Sequence, residues 1–332
     1  MTGGPESGTG EAAFRARAGA LTLLYLASPM RRSVLLAMLA EAATGADVMD
    51  EVDVPDPDDP VPLEIIADPY LVEPADPDAD PSAPIDWDTT LRPSQAGKDL
   101  LVVGSVLERW LLDCPEGPVE LGPEAGPALS ALLGGWSSTV IHALAAAPLT
   151  VAQITEAVGI LSYDLIDDRV EEMLDAGLVD ILDEDSEEER FGATEWLRTG
   201  IAPLAAAARQ ELRHPLEDTA PIAALDVQAA FLLTLPLLEL PVELSGSCSL
   251  AVDLDDGLLG GPTGVTVRIE SGQLVSCEVR LDDDVDAWAA APAAAWLDTV
   301  IERDTGQTRS GGDQRIAGAL LEGLHERLFG MP

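Results

Sequence analysis

Between Gly45 and Trp87 the chain carries proline at positions 55, 57, 60, 62, 69, 74, 77, 81 and 84, many Asp and Glu, and no Lys or Arg. Proline fixes φ and removes a backbone donor, so this density is incompatible with helix and with most sheet pairing. The stretch reads as a solvated acidic loop. It divides a short N-terminal region from the bulk of the chain, and the rest of the 332 residues must fold around it. That length implies two or three domains.

The loop is the extreme of a bias that runs through the chain. Sixty Asp and Glu stand against 18 Lys and Arg, giving a formal net charge of −42, and Lys98 is the single Lys. A GC-rich genome would exchange Lys for Arg without removing Arg as well. The acidity therefore reads as selected, by a salty cytoplasm or by a partner, and the composition fits both. In either case nonspecific nucleic-acid binding is disfavoured, because that affinity comes from cations neutralising phosphates. A hydrophobic share of 47% excludes disorder throughout. Cys114, Cys248 and Cys277 form no framework and point to a reducing compartment. No apolar run reaches the roughly 18 residues of a membrane span. Ala18–Met30 has signal-peptide flavour, but Arg31 and Arg32 come at once and the apolar pattern continues to Leu39. A cytoplasmic protein without a membrane partner is expected.

Periodicity and punctuation divide the remainder. Residues 1–12 are a Gly-rich tail, and 14–43 read as a helical hairpin or two short helices broken near Ser28-Pro29. A helix is expected over 91–112, with Leu100, Val103, Leu107, Trp110 and Leu111 at helical spacing, ended by Pro115-Glu-Gly-Pro118. Further helices are expected over 127–146, over 150–158 with Thr150 as N-cap and Gly159 as stop, and over 162–176 with Ser162 as N-cap. A short strand at 178–182, a charged turn, a strand at 191–193 and a helix from about Thr194 to Arg213 complete this unit. Beyond Pro215 come an apolar helix over 223–238 and strands over 242–254, 264–270 and 273–281, with a tight hairpin turn at Ser271-Gly272. Helices near 287–303 and 313–329 close a small α+β domain.

The run Trp136-Ser-Ser-Thr-Val-Ile-His-Ala-Leu, then Leu149-Thr-Val-Ala-Gln-Ile, then Arg169-Val-Glu-Glu-Met-Leu-Asp-Ala-Gly-Leu-Val, then Thr194-Glu-Trp-Leu-Arg resembles the HxlR-type winged-helix regulators over about 90 residues. Leu91-Arg-Pro-Ser-Gln-Ala-Gly-Lys-Asp-Leu-Leu resembles the end of another such unit and matches Ala193-Thr-Glu-Trp-Leu-Arg in character. The resemblance implies tandem winged-helix units, DNA binding as a dimer, and response to small molecules or stress. Gly264-Val-Thr-Val-Arg-Ile-Glu-Ser-Gly-Gln-Leu-Val, Asp286-Ala-Trp and Gly311-Gly-Asp-Gln-Arg-Ile-Ala-Gly-Ala-Leu-Leu resemble the sterol-carrier-protein-like fold over roughly 100 residues. That likeness implies an apolar tunnel for a small-molecule ligand, with Phe231, Leu235, Trp288 and Trp296 as its candidate lining. The expected fold is thus mainly α with α+β. A tail spans 1–12. A degenerate winged-helix unit spans 13–122, with the acidic insertion at 45–90. An intact unit spans 123–215 and a sterol-carrier-like domain 216–332.

The charge departs from the family's pattern. A recognition helix directs Arg, Lys, Asn or Gln at base edges and cations at phosphates. Here that position reads Ser162, Tyr163, Asp164, Asp167, Asp168, Glu171 and Glu172, with Asp175 beyond and Arg169 the only cation. The expected wing, with Asp183, Glu184, Glu187, Glu188 and Arg190, is also acidic. A few wrong-sign charges at roughly 4–8 Å from phosphate cost several kcal/mol before screening. The best reading is a regulator-like protein that senses an apolar small molecule, with direct DNA binding disfavoured and a homodimer as one expected state. The other is an acidic interaction protein that imitates DNA or binds a basic protein partner.

Chemistry elsewhere is sparse. His142, His214 and His325 share no metal-site spacing. Asp76, Asp78 and Asp80 mimic the opening of a calcium loop, but Pro81 stands where that loop needs Gly and Trp87 where it needs Glu. No phosphate loop, dinucleotide fingerprint or nucleophile elbow occurs, so no enzyme, metal or cofactor is expected. Cys248 and Cys277 read as small buried hydrophobes on strands that could be neighbours, with a disulfide or thiol sensor as the other reading. The Trp110 and Trp196 helices read as packing surfaces between units or subunits.

Overall fold

The computed structural model describes residues 19–26, 43–44, 70–76, 88–134, 136–182, 189–215, 219–254 and 261–330. It is a mixed α/β structure. The expected tail and most of the hairpin and acidic loop lie outside the described residues.

The first unit starts with α1 (Ala20–Leu26). The buried Glu211 carboxylate accepts the backbone N–H groups of Gly19 and Thr22 at 2.7 and 3.0 Å, so a residue about 190 positions away caps this helix. Gly19 has φ +85, and a Cβ there would stand 2.8 Å from the Leu204 carbonyl, so the close approach requires glycine. Strands β1 (Ala43–Thr44), β2 (Val72–Pro74) and β3 (Thr90–Pro93) form an antiparallel sheet in the order β1-β3-β2. Two expectations are corrected here. Leu71 and Val72 lie inside the proline-rich stretch yet are fully buried in the core, and β2 tolerates Pro74 because it is an edge strand that ends there. The helix expected from 91 begins only at Gln95, since Thr90–Pro93 pair as β3 and Ser94 caps α2 (Gln95–Leu112).

The second unit contains α3 (Gly126–Leu133) and α4 (Ser137–Ala146), where one helix over 127–146 was expected. The break falls at Gly134, whose backbone is extended. Helix α5 (Val151–Val158) starts with a capping box between Thr150 and Gln153 and stops at Gly159, which has φ 70. Helix α6 (Tyr163–Asp175) is capped by Ser162. Strands β4 (Val179–Ile181) and β5 (Phe191–Ala193) pair antiparallel, and Leu149 bridges to Phe191 on the other side of β5. The expected final helix divides into α7 (Glu195–Thr199) and α8 (Ile201–Arg213). Pro203 cannot donate to the preceding turn, which favours a break there.

The two units repeat each other with an offset of 100 residues from β3 through α2, set against β5 through α8, while the partner strands β2 and β4 are 107 apart. Ser94 donates its N–H to Leu71 O at 2.9 Å and its hydroxyl to Tyr70 O at 2.7 Å. Thr194 donates its N–H to Leu178 O at 3.1 Å and its hydroxyl to Gly177 O at 3.0 Å. Leu91 pairs with Ala43 as Phe191 pairs with Leu149. Helices α2 and α7–α8 then lie antiparallel. Trp110 Nε1 donates to Trp196 O at 2.9 Å, and Gln210 Nε2 donates to Ala96 O at 3.0 Å. Shifting either bond by 100 in one partner and back by 100 in the other gives its mate, which is the signature of a local two-fold arrangement.

The last part opens with α9 (Ala224–Thr234), which is apolar on all sides. Such a helix must be buried on more than one face. Its Ala229 and Leu233 join the core of the two units, while Val227 and Phe231 join a second core under the sheet. Strands β6 (Gly246–Asp253), β7 (Pro262–Glu270), β8 (Gln273–Glu278), β9 (Ala287–Pro292) and β10 (Arg309–Gly312) form a sheet in the order β10-β9-β6-β7-β8, parallel only between β6 and β9. Ser271 and Gly272 have φ 52 and 77, the conformation of a type I′ hairpin turn. The expected helix over 287–303 is half wrong. Residues 287–292 pair as β9, and α10 (Ala293–Glu302) begins only after Pro292. Helix α11 (Gln314–Phe329) is capped by Asp313. Arg109 on α2 donates to Leu328 O and Gly330 O at 2.7 and 3.0 Å, tying the C-terminal end of α11 to the first unit. Among the described residues no single helix is long and apolar enough to cross a membrane.

Candidate functional site

Helix α6 packs through Ile166, Val170 and Met173, spaced at i, i+4 and i+7, against the unit's core. That register turns Asp164, Asp168, Glu171, Glu172 and Asp175 outward, with Asp167 half-buried. Arg169 is half-buried and paired with Glu172 at 2.5 Å, so the helix's one cation is neutralised within the helix. Ile160, Tyr163 and Leu165 stand beside these carboxylates at 74%, 50% and 51% exposure. Ser162 is exposed and serves as the helix cap. Of the expected wing, Asp183, Glu184, Glu187 and Glu188 lie outside the described residues, and Arg190 is exposed at the start of β5.

The second feature is a cavity of about 120 Å³ between α8, α9, α10, α11 and β6. Ile201 and Leu204 of α8 form one wall, Phe231 of α9 and Trp296 of α10 another, and Leu324 and Leu328 of α11 also line it. The Phe231 and Trp296 rings meet edge to face, with centroids 5.5 Å apart. Of the four residues expected to line an apolar tunnel, Phe231 and Trp296 line this cavity. Leu235 and Trp288 do not. Leu235 is fully buried in the core next to the cavity without lining it. Trp288 is on β9, where Ala287, Ala289 and Ala291 point inward and the residues between them point out. It is 40% exposed and its indole covers Gly311 on the outer face of the sheet.

Two polar groups line the cavity, Asp226 and Thr234, both on α9. Asp226 Oδ2 accepts the Ala223 N–H at 3.1 Å, and Oδ1 stands 3.3 Å from His142 Nε2 on α4. Sequence reading missed Asp226. The available signal was the one charged residue in a mostly apolar helix. It also missed the contribution of α8, whose Ile201 and Leu204 look like ordinary core.

The remaining candidates are structural. Cys248 and Cys277 face the inner side of the sheet but are not on adjacent strands, because Val267 of β7 pairs with both and stands between them. Two strand spacings of about 5 Å each keep their sulfurs beyond disulfide reach. Burial pushes their thiols up to about 12 and about 11, so neither is a reactive thiolate. His214 pairs with Asp99 at 3.0 Å, and His325 Nδ1 meets Val300 O at 2.9 Å. Among the described residues no group of three or more His, Cys, Asp or Glu side chains is placed to hold a metal ion. Trp110 and Trp196 stack with centroids 4.5 Å apart and an interplanar angle of 8°, at the junction of the two units.

No family model and no curated protein matches the chain. Among solved structures, the stereoselective inverting sec-alkylsulfatase from Pseudomonas sp. is similar at a TM-score of 0.23 and 15% identity, over 63% of this chain and 32% of that one. The chain thus spans about a third of that enzyme's length. A likeness at that level carries no argument about fold or activity.

Proposed function

We propose that the chain is a regulator-like protein of two tandem winged-helix units fused to a sterol-carrier-like domain, and that it senses a small apolar molecule. The observation that carries this reading is the composition of the cavity walls. Helix α8 belongs to the second unit, α10, α11 and β6 belong to the sheet domain, and α9 packs into both cores. A ligand there touches both parts at once, which is what coupling requires. The repeat of ribbon, hydroxyl cap and helix supports the tandem reading.

Direct DNA binding is disfavoured by α6, whose outward face is acidic and whose Arg169 is already paired. The same face favours a second reading, capture of a basic protein. Its exposed Ile160, Tyr163 and Leu165 offer apolar anchors inside an acidic surround.

Heat denaturation with and without millimolar toluene tests the sensing reading. A rise in midpoint that disappears when Ala205 is replaced by Trp is expected. No rise with toluene, indole or cyclohexane sinks it. Gel retardation with genomic fragments at low salt should show no shifted band, and a salt-sensitive shift would overturn the exclusion of DNA.

A further inference from the structure

The outer face of α6 carries a regular pattern. Ile166, Val170 and Met173 hold the inner side, and the exposed Asp164, Asp168, Glu171 and Asp175 recur at i, i+4, i+7 and i+11 on the opposite side. At about 1.5 Å of rise per residue this stripe runs about 16 Å. Among the described residues none of these four carboxylates meets a cation, since Arg169 is taken by Glu172. Tyr163 and Leu165 flank Asp164 on either side, and Ile160 precedes them in the turn from α5, all three exposed.

Two features separate this face from the acidity that the whole surface shares. Helices α2, α7, α8 and α11 carry Arg109, Arg198, Arg213 and Arg327 in their last turns, against the negative end of the helix dipole. Helix α6 has no cation in its last turn and ends on Glu172 and Asp175, with Glu171 just before them. Carboxylates at that end weaken a free helix, so solubility alone does not place them there, and a cation supplied from outside relieves the repulsion. The apolar side chains are the second feature. Acids that serve hydration gain nothing from exposed Ile160, Tyr163 and Leu165 beside them, whereas an interface combines apolar anchors with a charged surround.

Spacing and charge fit one kind of partner. Carboxylates a turn apart along a helix are matched by cations with the same rise on a second helix. Like-facing residues of an extended chain step by about 6.7 Å and drift about 3–4 Å out of register over the stripe. We infer that α6 is the docking face for a basic amphipathic helix of a partner protein. Apolar residues at one end of that helix meet Ile160, Tyr163 and Leu165, and Arg or Lys over its next three turns meet the carboxylate stripe. This names the partner for the basic-protein reading above and rests on it.

Fluorescence anisotropy of labelled peptides with the full chain, at about 0.15 M salt, tests the inference. The probe is an alanine-based peptide of about 16 residues, with leucines in its first turn and arginines at i, i+4, i+7 and i+11 after it. The control peptide has the same composition with its arginines spread around the helix. The probe is expected to bind about tenfold more tightly than the control. Asp168→Asn with Glu171→Gln should lower its affinity about tenfold. Glu243→Gln with Asp283→Asn removes the same charge from exposed positions of the last domain and should change it less than about twofold. Tyr163→Ser should weaken the probe and leave a leucine-free version unchanged. If control and probe bind alike and the α6 pair of substitutions weakens both, the face captures basic chains without reading a helix. The inference is then overturned and the basic-protein reading stands. If the two pairs of substitutions weaken the probe equally, the binding is general attraction to an acidic chain, and both fall. No binding of the probe at this salt overturns both as well.

Discussion

Trp110 and Trp196 each donate the indole N–H to the other's backbone carbonyl, at 2.9 and 2.8 Å, across a stack only 8° from parallel. The pair locks α2 against α7 at one end of the helix pair, and Gln210 performs the corresponding task for Ala96 at the other end. Replacing Trp196 by Phe keeps a ring in the stack and takes the indole donor from the Trp110 carbonyl, which retains the Asp113 N–H at 3.2 Å. A loss of about 0.5–1.5 kcal/mol is expected, read as a lower urea midpoint by far-UV circular dichroism. Gln210→Leu should cost less, because the Gln210 Oε1 atom meets no partner among the described residues and its removal relieves a penalty. The two sites lie about 20 Å apart along α2, so the double variant should be additive within about 0.5 kcal/mol. Unchanged midpoints in both single variants would mean that these donors do not hold the helix pair.

The local two-fold arrangement bears on assembly. In a homodimer of single units, each unit would offer this helical surface to a copy of itself. Here α2 already occupies it within the same chain. The protein is therefore expected to sediment as a monomer of 34.8 kDa, and a homodimer through α2 or α8 is not expected. A species of twice that mass that persists at micromolar concentration, and that Trp196→Phe dissociates, would show the opposite.

Much of the second unit is legible because it is written locally. Thr150, Gly159 and Ser162 mark helix ends through bonds made within four residues, and each serves in the expected place. The likeness of the Leu91 and Ala193 segments corresponds to the same ribbon-and-cap arrangement. What sequence missed depends on distant partners. Ala287–Pro292 is rich in a strong helix former, yet its alanines let α10 and α11 pack closely over β9, and its pairing strand β6 is about 40 residues away. Leu71 and Val72 looked like part of a loop because proline density says nothing about which edge a short strand can join. The cavity is the meeting of four helices and a strand, and no single segment carries its pattern.

Filling the cavity separates its role in stability from its role in binding. Ala230 lies on its α9 wall, and leucine there adds three carbons to a space of about 120 Å³. The substitution should change stability by less than about 1.5 kcal/mol, while abolishing the rise in midpoint produced by toluene. A variant that is destabilised by several kcal/mol would mean that the space is not available. One that keeps the full toluene effect would place the bound molecule elsewhere.

The thiols give the last prediction its sign. Burial raises Cys248 to about 12 in the folded chain, against 9.0 for an ordinary thiol. A raised folded value means that the thiol's contribution to stability is complete below the unfolded value and is lost as pH climbs from it toward the folded one. Cys277, raised to about 11, acts in the same direction over a narrower range. Urea midpoints should therefore fall between about pH 9 and 10.5, with Cys248 alone accounting for roughly 2 kcal/mol. Cys248→Ala should fall less steeply over that interval, although it starts lower because it opens space beneath β6. At pH 8 both thiols stay protonated and should resist iodoacetamide until urea unfolds the sheet. Rapid alkylation of Cys248 in the native protein, or identical alkaline slopes for the two chains, would show that the inner face of the sheet is open to water.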